Sequence, residues 1–154
     1  MDASAIPLTS RLGRDMQVYH DGVRQVAGCV ITRRDTREIL LVTSRAKQEW
    51  ILPKGGWESD ESIEESARRE AIEEAGIVGR ITRSLGSVQV ASKNGNSTSC
   101  IHWFELAVDQ VLDQWPEQRE RSRKWVSFSE VLSTCTRPEM IQAIKSVIEE
   151  HSNT

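Results

Sequence analysis

Residues 53–77 read PKGGWESDESIEESARREAIEEAGI: a proline-glycine turn, a short polar stretch, then a charged segment with a regular apolar repeat. Ser62 followed three residues later by Glu65 is a capping-box pattern, in which each residue's side chain bonds the other's backbone N–H. Gly76 suits a left-handed stop, so the spacing predicts a helix over residues 63–75. On a wheel of about 100° per residue, Ile63, Ala67, Ala71 and Ala75 form an apolar stripe. Glu74 falls inside that stripe, Glu70 borders it, and Glu73 shares their sector. Gly55 and Gly56, just ahead of the helix, permit backbone geometries or a close ligand approach that larger residues resist.

A merely solvated charged face should lie opposite an apolar stripe, not within it. Between Glu58 and Glu74 stand eight acids and two bases, a local charge of −6 in a chain whose 154 residues sum to −3. One reading is a surface helix whose Glu and Arg residues pair at i, i+3 and i+4, as Arg69 does with Glu65 or Glu73. The other is a cation site, because neighbouring carboxylates repel and lose water on burial unless a cation compensates. In that reading Glu70 and Glu74, one turn apart, offer hard oxygen ligands suited to Mg2+, with Mn2+ as a substitute, and leave positions for water and phosphate oxygen. Glu73 is then close enough to orient or deprotonate such a water.

Working outward, Val26, Ala27, Cys29, Val30 and Ile31 make a strand with little alternation, and residues 34–37 a polar turn. Ile39-Leu40-Leu41-Val42 makes a second buried strand. Trp50-Ile51-Leu52-Pro53 leads into the glycines. After the helix, residues 77–90 and 100–108 are strand-like on either side of a turn at Lys93-Asn94-Gly95-Asn96. Trp125-Val126-Ser127-Phe128 adds a short strand, and Ile141, Ile144, Val147 and Ile148 follow helical spacing after Pro138. Strands, helix, strands, helix predict a single α/β or α+β domain with a mixed sheet over residues 21–150, preceded by a tail or covering segment over residues 1–20.

Composition narrows the function. A net charge of −3 excludes a strongly basic, counterion-driven nucleic-acid binder, so no stable nucleic-acid partner is expected. No apolar run approaches the roughly 20 residues of a membrane helix, and the first 20 residues lack a secretory apolar region. The expected location is the cytoplasm, with the nucleus as a further compartment. Cys29, Cys100 and Cys135 are odd in number and show no CxxC spacing, so each is expected to be a small buried hydrophobe. His102, alone on a strand beside Trp103, has two readings, a side chain that reaches the site and, the expected one, a structural or exposed histidine.

The spacing of Gly55, Glu61 and the run Arg69-Glu70-Ala71-Ile72-Glu73-Glu74-Ala75-Gly76-Ile77 resembles the Nudix box, a 23-residue strand-loop-helix signature. Ala71 stands where a larger aliphatic is often found. The resemblance implies an α/β/α sandwich with a mixed sheet, and attack by metal-activated water on a phosphoanhydride. It makes Glu70 and Glu74 the metal ligands and Glu73 the proton acceptor, while Arg69 and Glu61 hold loop and helix together. Family members differ over which glutamate is the base, so the three form one coupled set.

Beyond the box, Arg24-Gln25-Val26-Ala27-Gly28, Trp50 to Gly56, Arg123-Lys124-Trp125 and Arg137-Pro138 resemble the diphosphoinositol polyphosphate phosphohydrolases over most of residues 17–148. That resemblance implies a polyphosphorylated small-molecule substrate held by Arg24, Arg45, Lys54, Arg123 and Arg137, with Ser44 as a hydroxyl contact and Gly55 and Gly56 beside it. Guanidinium groups suit this task because they bind phosphate oxygens bidentately and stay charged. The loop from Ala91 to Thr98 departs from the subfamily, carrying only Lys93 where relatives are more basic. Two other readings use the same residues: a Nudix hydrolase of dinucleoside polyphosphates, inorganic polyphosphate or capped RNA, and a Nudix-fold module that binds inositol phosphates without turnover. The second predicts loss of one of the three glutamates, and all three are present.

Overall fold

The apolar run after Arg24 becomes the central strand because both of its faces are covered. The structure, a computed structural model, describes residues 15–46, 48–92 and 94–152. Its strands are β1 (Tyr19–His20), β2 (Val23–Arg33), β3 (Glu38–Thr43), β4 (Trp50–Ile51), β5 (Lys54–Gly56), β6 (Ile77–Ala91), β7 (Thr98–Val111) and β8 (Arg123–Ser127). Its helices are α1 (Ile63–Ala75), α2 (Val131–Thr134) and α3 (Pro138–Ser152). The main path of the sheet runs β4-β3-β2-β7-β6, with β1 and β5 also paired to β2 and β8 to β3. Among the described strands only β2 and β7 pair in parallel, from Arg24 opposite Ser99 to Thr32 opposite Ala107, so the sheet is mixed.

Side chains alternate across a strand, so β2 serves both layers. Cys29 faces α1, its thiol donating to the Ala67 carbonyl. Thr32, three residues on and facing the other way, donates to Glu105, whose carboxylate also bonds His151 of α3. On that face too, Trp103 Nε1 donates to the Glu139 carbonyl of α3. Helix on either face of one sheet is the expected sandwich, and it explains why Val26–Ile31 lacks polar alternation.

Helix α1 begins and ends where the sequence predicts. Ser62 and Glu65 exchange both bonds of the capping box, and Gly76 takes φ 65°, with its N–H on the last-turn carbonyls. Several features were not legible. The glycines do not form an open turn: Gly55 and Gly56 pair with Ala27 and Val26 as part of β5. The short α2 carried no periodic signal. Part of the segment expected to cover the domain joins it, since Gln17 bridges to Glu58 and β1 pairs β2. Residues 1–14 and Lys93 lie outside the described residues. Cys29 and Cys135 are buried as expected, whereas Cys100 is only half-buried at the start of β7.

Candidate active site

Three carboxylates of α1 meet at the floor of one cleft. Glu70, Glu73 and Glu74 are 6%, 7% and 5% exposed, and all three line a cavity of ≈ 530 Å³. The wheel position of Glu74 explains its burial: it sits in the stripe that Ala67, Ala71 and Ala75 press against the sheet. Of the two readings of the acidic helix, the solvated face is therefore excluded.

Arg69 binds this cluster to the preceding loop. Its Nε and Nη2 form a two-pronged contact with the Glu61 carboxylate at 3.0 and 2.7 Å, and its Nη1 reaches Glu70 at 2.9 Å and Glu73 at 3.2 Å. Nη2 also donates to the Gly56 carbonyl and lies 3.4 Å from Glu58. Its partners are thus Glu61, Glu70 and Glu73, with Glu65 occupied instead in the helix cap. Glu61 further accepts from the Glu58 N–H, and its carbonyl accepts from Trp57 Nε1, so loop and helix are tied at both ends.

The glycines have a steric rather than conformational role. A Cβ on Gly55 would coincide with the Glu70 carboxylate, and one on Gly56 with Gln17 Oε1. The room they leave is occupied by the Glu70 and Gln17 side chains, while both glycines still line the cleft.

Electrostatically the floor is short of positive charge. Burial, followed by the charge of Glu74, raises the Glu70 carboxyl well above its ordinary range. Burial raises Glu74 to about 7, with Arg121 opposing and Glu117 reinforcing the shift. Two adjoining carboxylates that resist ionisation together mark a place where a divalent cation is favourable. Among the described residues no group of three or more acidic, histidine or cysteine side chains is arranged to hold a metal ion by itself. Two hard oxygen donors in a polar cleft fit Mg2+, which usually keeps waters and takes few protein carboxylates together with substrate phosphates.

Above the floor the cleft is lined by Arg24, Ser44, Arg45, Lys54 and Arg137. Lys54 donates its backbone N–H to Glu74 Oε1, and burial lowers its ammonium pKa. Arg137 is held by a bidentate contact with Glu49 at 2.7 and 3.1 Å. Arg45 is the most open of these, its side chain 71% exposed and 3.7 Å from Glu117. Arg123 is placed elsewhere. Its guanidinium lies over the Trp115 ring and donates to the carbonyls of Ala75 and Leu112, behind the C-terminus of α1. A residue expected to touch substrate instead closes a helix end, because β8 turns it towards α1 rather than towards the cleft.

Arg121 stands in the cleft in its stead. It donates to Glu117 at 2.7 Å and to the Thr43 carbonyl, and lies 3.6 Å from Glu74. Glu117 in turn donates its N–H to the Glu73 carbonyl, docking the 112–122 loop against the helix end. Only the i, i+4 spacing of Glu117 and Arg121 hinted at this pair, and in a loop that spacing carries no information. Gln17 and Glu58 also line the cleft and were not singled out. His102 is structural as expected: it bonds Gln25 Oε1 at 2.7 Å and stands edge-on to Trp57.

The model of the NUDIX domain family matches residues 22–148. The chain belongs to the Nudix hydrolase family. As a Nudix hydrolase it is 44% identical to Nudix hydrolase 21, chloroplastic, of Arabidopsis thaliana, over 97% of this chain and 79% of that protein. It is 41% identical to Nudix hydrolase 4 of the same plant, over 93% and 74%. A more distant relative, 32% identical over 77% of this chain and 74% of its own length, is the Diphosphoinositol polyphosphate phosphohydrolase 3-alpha of Mus musculus. Among solved structures, a NUDIX hydrolase from Nitrosomonas europaea superposes with a TM-score of 0.72 at 19% identity, covering 84% of this chain and 90% of that one, a likeness of fold. Nudix hydrolases generally use divalent metals such as Mg2+ and act on small-molecule substrates. Among the described residues no helix is long and apolar enough to cross a membrane.

Proposed function

We propose that this Nudix hydrolase is a Mg2+-dependent phosphohydrolase that cleaves the phosphoanhydride of diphosphoinositol polyphosphates, with secondary activity on diadenosine polyphosphates. The observation that carries the reading is the joint presence of Arg24, Arg45, Lys54 and Arg137 in one cleft with Ser44, above the buried carboxylates. A ring bearing several phosphates requires cations on several sides, and most other lining groups here are acidic or small. Val26 and Ile51 are the apolar members, which suits a phosphorylated ring better than an adenine needing an aromatic platform.

Mg2+, when bound, supplies neutralisation of phosphate charge and a lowered pKa for water. Glu70 and Glu74 are the residues that would hold it. Glu73 takes a proton from the attacking water as its oxygen bonds the terminal phosphorus. The bridging P–O bond breaks, releasing inorganic phosphate and leaving the bridging oxygen on the inositol polyphosphate. The arginines and Lys54 hold the remaining phosphates so that the anhydride lies over the carboxylates.

The test compares kcat/KM, with Mg2+, for a diphosphoinositol pentakisphosphate, diadenosine hexaphosphate and a capped RNA. Preference for the inositol substrate is expected, and preference for either nucleotide would overturn the substrate assignment while leaving the Nudix chemistry intact. A cytoplasmic and nuclear location is part of the same proposal. Import of the tagged full chain into an organelle would overturn that part, an outcome suggested by relatives named chloroplastic or mitochondrial.

A further inference from the structure

Arg137 lines the cleft just ahead of α3, and Glu49, 88 residues away in the chain, grips it from the turn ahead of β4. Arg137 Nη2 donates to Glu49 Oε1 at 2.7 Å, and its Nε donates to Oε2 at 3.1 Å and to Oε1 at 3.2 Å. The backbone of Glu49 is fixed independently of this contact. Its carbonyl accepts from the Ser44 N–H at 2.9 Å, and the next residue, Trp50, pairs with Thr43. The same turn carries Ser44 and Arg45, two further residues of the cleft lining. Strand pairing therefore brings the Glu49 carboxylate to Arg137, whatever that guanidinium binds.

A carboxylate bound in this two-pronged way takes the guanidinium edge that a phosphate also prefers. A phosphate claiming that edge must displace Glu49, and one approaching elsewhere meets a guanidinium whose charge a carboxylate already offsets. In both cases Glu49 works against the ligand. Burial decides that this contact, rather than the other carboxylate pair in the cleft, is the adjustable one. The side chains of Arg121 and Glu117 are each 7% exposed, so parting them strands buried charge. Those of Arg137 and Glu49 are 28% and 45% exposed, where water and anions exchange with an ion pair at little cost.

We propose that Glu49 is a specificity-determining residue that acts through Arg137: by occupying its guanidinium, it lowers the affinity of the cleft for polyphosphates, and most for the ligand with the densest phosphates. This rests on the reading of Arg137 as a phosphate ligand given under Proposed function. Attraction to a cation grows with the charge that the ligand brings beside it, so a fully phosphorylated ring loses more than a linear phosphate chain capped by adenosines. Glu49 thereby sets how strongly the cleft favours rings over chains, without touching the reacting atoms.

The test is a double-mutant cycle of Glu49→Gln, Arg137→Ala and the pair. Isothermal titration calorimetry in chelator, where no turnover competes, measures Kd for inositol hexakisphosphate and for diadenosine hexaphosphate. Glu49→Gln is expected to tighten inositol hexakisphosphate by about fivefold, the most that an exposed ion pair withholds, and diadenosine hexaphosphate by less than about twofold. In the Arg137→Ala background it should change neither. A gain in affinity is a readout that structural damage does not produce. Unchanged or weakened binding in Glu49→Gln, or equal tightening without Arg137, would overturn the role of Glu49 while Arg137 itself remained a ligand. If Arg137→Ala leaves both Kd values as in wild type, or if neither wild type nor Glu49→Gln binds either ligand, the reading of Arg137 fails and the role of Glu49 with it. Tighter binding of diadenosine hexaphosphate than of inositol hexakisphosphate by wild type, with the expected response to Glu49→Gln, would overturn the substrate assignment and uphold the role of Glu49.

Discussion

The carboxylate of Glu70 occupies the space into which any residue other than glycine at position 55 would place its Cβ. The helix and strand that carry the two are separate elements, so this exclusion fixes how far α1 can approach β5. It also couples the glycine to the chemistry. Gly55→Ala is expected to displace Glu70, weaken Mn2+ binding, and lower kcat by about 100-fold, the cost of misplacing a reacting group by about 1 Å. Titration of Mn2+ by electron paramagnetic resonance, alongside kcat, checks this; a variant with native metal affinity would show that Glu70 is not a ligand.

Glu73 is expected to act in turnover rather than in folding. Glu73→Gln keeps the size of the side chain and an acceptor for Arg69, and should retain the melting temperature to within a few degrees. Its kcat should fall by on the order of 10²–10⁴-fold, as expected for loss of a proton acceptor. Near-native turnover would remove Glu73 from the catalytic set.

Arg69 offsets the carboxylates of Glu61, Glu70 and Glu73 at once. Removing one member of a buried charged cluster leaves the others uncompensated, so Arg69→Ala should destabilise the metal-free protein by about 3–5 kcal/mol. Urea denaturation measures it. Saturating Mg2+ should recover part of the loss, because the cation would then supply charge to the same carboxylates.

The elevated pKa of Glu74 makes a signed prediction for pH. Folded, its carboxyl titrates near 7 because it is buried; unfolded, it would return to its ordinary value of 4.5. Between these values the folded state holds the extra proton, so this group stabilises the metal-free fold most below about pH 4.5 and progressively less as pH rises through about 7. Raised Glu70 acts in the same direction. Melting curves in chelator should therefore fall from about pH 5.5 to about pH 8, and Mg2+ should flatten them. A chelated protein that becomes more stable over that window would contradict the crowded-carboxylate floor.

Arg123 and Arg137 separate the two roles that their sequence context could not. Arg137 lines the cleft, so Arg137→Ala should raise KM for inositol substrates more than for dinucleoside polyphosphates. Arg123 instead satisfies carbonyls at the end of α1, so Arg123→Ala should lower stability by about 1–3 kcal/mol through unpaired carbonyls. Its KM should stay within about twofold of wild type. A selective KM effect at Arg123 would return it to the substrate site.

What the sequence determined by itself was local. The capping box of Ser62 and Glu65, the stop at Gly76, and the wheel positions of Glu70, Glu73 and Glu74 follow from spacing along one helix, where neighbours three and four residues apart must meet. The apolar run of β2 likewise announced a strand with little alternation. Tertiary structure alone decided what stands opposite these elements. Arg121 entered the cleft and Arg123 left it, although they are two residues apart, because the turn into β8 and its pairing with β3 set their directions. Gln17 reaches Arg24 only through strand pairing that brings residues 17, 25 and 57 together. Gly55 and Gly56 signalled a tight approach, but whether a ligand or a carboxylate fills the gap depends on the packing of α1 against β5. Local periodicity constrains one element at a time, whereas a cleft is made by contacts between residues far apart in the chain, and no spacing records those.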